Sequence, residues 1–174
     1  MAPCGRRGAD RRDVLRRRRA HRRGRVVRAT GFSSVTRKPA AGYAGKSLAD
    51  KMGIRAGMRV AAVGAPRSYA TLVGHLPRAV TVTARASTRA DLVHCFVEWR
   101  RDLEARIASL NRALGDDAVL WVSWPKRSSG HATDLTEDGL REVILPLGLV
   151  DVKVCAVDDT WSALKFVRRL QHRR

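Results

Sequence analysis

Nothing in this chain is long and apolar enough to cross a bilayer, since its hydrophobic runs stay short of the about 18 residues that a spanning helix needs. No apolar signal core precedes the body either, so the sequence predicts a soluble, cytoplasmic protein with no membrane partner. Cysteine is nearly absent. Cys4 stands in a basic tail, while Cys95 and Cys155 lie in apolar runs with no C-x-x-C spacing and no second Cys or His to complete a metal site. His94 adjoins Cys95, but neighbours on a strand point to opposite faces. Both cysteines therefore read as small buried hydrophobes in a reducing compartment. No internal repeat and no complete catalytic motif is visible.

Acid is scarce: 16 Asp and Glu face 35 Lys and Arg, a net charge of +19. Residues 1–40 hold 14 of these cations against 2 Asp, whereas residues 41–174 hold 21 against 14. The first stretch has too few apolar residues to offset the roughly 1 to 2 kcal/mol per residue that ordering a backbone costs, and it reads as a disordered Arg-rich tail. Its arginines come in blocks rather than on one helical face. That favours a nucleic-acid-binding arm, or an extension translated from upstream of the true start, over a transit peptide. Residues 41–174 have the length and patterning of a single α/β domain.

Within that body, KSLADKMGI predicts a short helix stopped by Gly53, and MRVAAVGAP a first strand ending at Gly64 to Pro66. Tyr69, Leu72, Val73 and Leu76 give a helical stripe over residues 67–76. Strands are expected at 79–85 and 91–99. Only Ala86 to Ala90 separate them, too few for a crossover helix, so an element is missing or the two strands are not neighbours. Leu103, Ile107, Leu110 and Leu114 mark a long helix with Gly115 placed as its stop. Beyond it, Leu140, Val143, Ile144 and Leu147 form another stripe, and two apolar runs around Asp158 to Trp161 form a hairpin. The expectation is a three-layer fold with a mainly parallel, Rossmann-like sheet and a C-terminal antiparallel hairpin.

The most informative stretch is AVLWVSWPKRSSGHATD, residues 118–134. Its apolar run predicts a central strand ended by Pro125, which cannot donate to a ladder. Lys126, Arg127, Ser128, Ser129 and Gly130 follow as a basic, hydroxyl-rich loop, with Asp134 and Glu137 in the pattern of a capping box. Parallel strands put every strand-to-helix turn at one carboxyl edge, where open α/β sheets bind ligands. That edge should gather the KRSSG loop, residues 64–69 and 98–101, and the hairpin tip with Asp158, Asp159 and Trp161. We take Lys126, Arg127, Ser128, Ser129, Gly130, Asp158, Asp159 and Trp161 as the candidate ligand-binding set. The plainer alternative is that the two aspartates favour a turn and the indole packs on its own hairpin. No catalytic residue is assigned, because Ser128, Ser129 and His131 lack an orienting third group. Glu98, Asp158 and Asp159 are too dispersed to define a metal site.

Two resemblances follow from these residues. The order GIRAGMRVAAVGA, DLVHCFVEW, a helix, AVLWVSW, then VDVKVCAV and ALKFVRR resembles the skeleton of Rossmann-like methyltransferases over most of residues 46–169. More specifically, WVSWPKRSSGHATDLTEDGLREVILPLGLVDVKVCAVDDTWSALKFVRR is similar to the bacterial family known as domain of unknown function 3052, which brings no established activity. The methyltransferase resemblance implies a G-x-G-type loop after the first strand and an acidic residue ending the second, both for adenosylmethionine. Here the loop reads VGAPRSY and the second strand ends near Arg85. Those departures imply that the usual cofactor site is absent and leave the cofactor unassigned. The expected function is thus a non-catalytic, methyltransferase-like domain holding an anionic small molecule or a protein partner at the carboxyl edge. Its alternatives are an active transferase with a rebuilt cofactor site, and a nucleic-acid-binding protein using residues 1–40 with Arg168, Arg169, Arg173 and Arg174.

Overall fold

The structure, a computed structural model, describes residues 46–172; the tail and its expected disorder lie outside them. In chain order the elements are α1 (Leu48–Met52), β1 (Arg59–Val63), α2 (Tyr69–Val73), β2 (Thr81–Thr83), β3 (Leu92–Phe96) and α3 (Arg100–Ala113). After these come β4 (Val119–Pro125), α4 (Glu137–Ile144), β5 (Leu149–Ala156) and β6 (Trp161–Arg168), with short 3-10 turns at Arg127–Ser129, Leu145–Leu147 and Leu170–His172. The strands make one sheet in the order β2-β1-β3-β4-β6-β5. β1 to β4 run parallel, while β6 lies antiparallel to both β4 and β5. This is the expected mixed α/β architecture with its closing hairpin.

Period-2 alternation divides the core between the two faces of the sheet. Val93, Cys95, Leu120, Val122, Leu164 and Phe166 are buried under the Leu103, Ile107 and Leu110 stripe of α3 and Leu140 and Ile144 of α4. Val60, Ala62, Leu92, Phe96, Trp121 and Ala163 face the other way, under Leu48 and Met52 of α1 and Tyr69 and Val73 of α2. Trp121 is wholly buried, and its indole N–H donates to the Met52 carbonyl at 3.2 Å, tying α1 to the central strand.

Strand order explains the short gap between the second and third strands. β2 and β3 flank β1 on opposite sides, and Thr83 stands level with Ala61 while Leu92 stands level with Val60, so the chain has little strand length to retrace and needs no helix there. Other expectations are corrected. α2 stops at Val73 because Gly74 takes φ 76°, cutting Leu76 from the stripe. α3 does end beside Gly115, but its last cap is Leu114 in an extended conformation, and Gly115 needs no left-handed φ.

The capping box at Asp134 and Glu137 does not form. Thr136 is the cap of α4 and accepts from the Gly139 N–H at 3.0 Å. Asp134 instead accepts from the Arg100 N–H at 2.7 Å, serving the first turn of α3, whose own cap, Trp99, has no side-chain acceptor. Arg168 is likewise not free to join a basic surface. Its guanidinium donates to the Asn111 and Leu114 carbonyls at the end of α3 and pairs with Asp116.

Candidate functional site

Four connections meet at the carboxyl edge. β1 runs into Gly64, whose φ of 65° disfavours any side chain. A Cβ there would lie 2.7 Å from Arg106 Nη1 and 2.8 Å from the Phe96 carbonyl oxygen. Arg106 donates to that same oxygen at 3.3 Å. One arginine from α3 thus fills the space beside the first turn and is itself bonded to the end of β3. What remains is a cleft of about 240 Å³ among Gly64, Phe96, Glu98, Asp102, Arg106 and Trp161. Ligand pockets usually start at roughly 300 Å³.

The loop after β4 is held by the hairpin tip. Lys126 donates its backbone N–H to Thr160 O at 2.7 Å and its ammonium to Asp158 O. The Asp158 carboxylate accepts from the Thr160 and Trp161 N–H groups at 2.8 and 2.6 Å, which is turn formation. Ser129 donates its hydroxyl to Lys126 O at 2.6 Å and accepts from the His131 N–H, while Gly130 takes φ 74° to reverse the chain. Further on, Thr133 donates to Glu98 O at 2.7 Å, closing the loop over the start of α3.

Lys126, Ser129, Asp158 and Trp161 therefore come together, mostly through the backbone. Arg127, Ser128 and Asp159 are exposed, and their side chains have no hydrogen bond or ion pair within the described residues. Trp161 alone of the set also reaches the cleft, its ring edge-on to Phe96 with centroids 5.2 Å apart. No group of three metal-ligating side chains occurs among the described residues.

Sequence reasoning missed Arg106. It follows Leu103 by three positions and precedes Leu110 by four, beside the buried stripe, where a long side chain can lie along apolar surface and present its head at the rim. A second group went unnoticed beneath the site. His94 is fully buried, with Nε2 2.7 Å from Ser123 Oγ and Nδ1 3.3 Å from the Tyr69 hydroxyl. Burial pushes the His94 pKa down to about 3 and the Tyr69 hydroxyl up to about 12. The pair has the bond of a nucleophile and its base, but Ser123 is itself wholly buried, so no substrate reaches it. The usable signal was that His94 and Ser123 are the polar residues of two adjacent, otherwise apolar strands.

No family model matches the chain, so the resemblance to domain of unknown function 3052 has no support from that quarter, and no curated protein matches either. Solved structures do match. A SAM dependent methyltransferase from Aquifex aeolicus is 13% identical, with 68% of this chain and 86% of that one covered and a TM-score of 0.52. A Sulfolobus solfataricus protein assigned to the type 11 methyltransferases is 11% identical, with 73% and 92% covered and a TM-score of 0.50. At such identities the likeness is one of fold. This chain has a methyltransferase-like fold.

Proposed function

We propose that this domain keeps the methyltransferase-like frame for ligand binding rather than catalysis, with the ligand at the carboxyl edge of the sheet. The observation carrying this reading is the filled turn after β1. Arg106 Nη1 and the Phe96 carbonyl stand where a cofactor approaching the bare Gly64 backbone would lie. The exposed, unpartnered Arg127 and Ser128 supply donors suited to an anionic group, with Trp161 as a wall. In this reading Lys126, Ser129, Gly130 and Asp158 set the shape of the loop, and Asp159 lies at its outer margin. An active transferase with a rebuilt cofactor site is the alternative, favoured by the fold likeness together with the cleft beside Trp161.

Calorimetric titration with adenosylmethionine separates the two. We expect no binding tighter than about millimolar, or about −4 kcal/mol. Micromolar binding with measurable heat would overturn the ligand-binding reading and promote the transferase.

A further inference from the structure

Charge within the body is divided sharply. Residues 51–90 carry seven Lys and Arg and no Asp or Glu, whereas residues 91–174 carry thirteen of each sign. The acid-free stretch folds into β1, α2, β2 and their connections, making one end of the sheet a positive pole. Arg55, Arg67, Arg78, Arg85 and Arg89 are exposed there, and their side chains have no hydrogen bond or ion pair among the described residues. Elsewhere in the molecule two arginines are held in acid clusters: Arg100 by Glu104 and Glu142, and Arg141 by Glu137, Asp138 and Asp151.

β2 supplies an independent observation. All three of its residues are exposed, Val82 by 43%, and among the described residues only β1 pairs with it. Thr81 turns toward β1, its N–H donating to Met58 O at 3.0 Å. Alternate residues of a parallel strand face opposite neighbours, so Val82 directs its N–H and C=O to the free side. Arg78 stands before this strand and Arg85 after it. Arg55 is close to Arg78, because the Gly57 N–H donates to the Arg78 carbonyl at 3.0 Å.

We propose that the β2 edge docks an acidic protein segment in extended conformation, which pairs its backbone with Val82 and its carboxylates with Arg78 and Arg85. A peptide answers both observations, since it offers a donor as well as an acceptor to the outward N–H and C=O. A phosphodiester backbone offers acceptors alone and brings negative charge against the Val82 carbonyl. β2 is short, so most of the affinity comes from charge and weakens with salt. The proposal does not depend on the ligand-binding reading of the carboxyl edge.

The test uses the full chain and a fluorescein-labelled peptide of about ten residues alternating Glu and Val, in about 0.1 M salt, with duplex DNA as second probe. Val82→Pro removes the outward N–H at an edge position where proline is tolerated, and leaves every arginine in place. Peptide affinity should fall about tenfold or more in Val82→Pro and again in Arg78→Ala/Arg85→Ala, while DNA affinity ignores Val82→Pro. Unchanged peptide affinity in a Val82→Pro chain that melts like its parent overturns the proposal. If Val82→Pro melts early, the exposed arginine pair decides alone: peptide binding unaffected by its loss also overturns the proposal, and loss confined to DNA makes the pole a nucleic-acid surface.

Discussion

Trp121→Ala should destabilise the domain by about 3 to 5 kcal/mol, the usual cost of emptying a buried indole site. Three effects add there. The side chain is wholly buried on β4, a central strand, so its loss leaves a cavity between β4 and α1. Its N–H also satisfies the Met52 carbonyl, which would be orphaned at the end of a helix of only five residues. With α1 loosened, Leu48 and Met52 lose their cover over the same face. Lys126→Ala is the natural contrast: it removes one half-buried hydrogen bond to the hairpin tip, worth about 1 kcal/mol, and no core packing. Urea unfolding of both variants measures the gap. If Lys126→Ala falls as far as Trp121→Ala, the loop is scaffold and the candidate site is misplaced.

Acid should weaken the fold through His94. In the folded chain its pKa sits at about 3, because burial disfavours the imidazolium, against roughly 6.5 once unfolded. Between those values the unfolded chain binds a proton that the folded chain does not, so stability is fully present above about pH 6.5 and is lost as pH falls. By pH 5 the loss from this one residue should reach about 2 kcal/mol, and it should deepen toward pH 3. Asp91, held below the usual carboxylate range chiefly by hydrogen bonds from Arg59, adds its own loss only at lower pH. Urea unfolding between pH 7 and pH 4, with His94→Gln alongside, isolates the histidine. An equal pH slope in both proteins would refute the assignment. So would an NMR titration in which the His94 ring protonates near pH 6.

Much of the architecture could be read from periodicity because it is carried by local pattern. The stripe of α3, the continuous apolar run of β4 and the β5–β6 hairpin are all set by which neighbours in sequence are apolar. Most of what escaped reading depends on partners far away in the chain. Asp134 looks like a cap for the helix that follows it, yet the unsatisfied N–H of Arg100 claims it. Arg168 looks like part of a basic terminus until the carbonyls ending α3 are placed beside it. Gly74 was a local signal passed over in favour of the stripe around it. The candidate site was half visible: strand polarity brought the KRSSG loop and the hairpin tip together, but Lys126 and Asp158 hold each other rather than facing out. Arg106, on a helix whose pattern spoke only of core, was not visible at all.

The hairpin has a consequence for how the chain is made. β4 pairs on one side with β3, which precedes it, and on the other with β6, which is made after it. As the chain leaves the ribosome, VLWVSW therefore emerges as an apolar strand with one whole edge unpaired, and it stays so until residues 149–168 follow. Such an edge is a template for pairing with other nascent copies. The 20 residues of β5, its turn and β6 complete the sheet and also cap that liability, so translation that stalls near Gly148 should yield aggregate rather than a smaller folded domain.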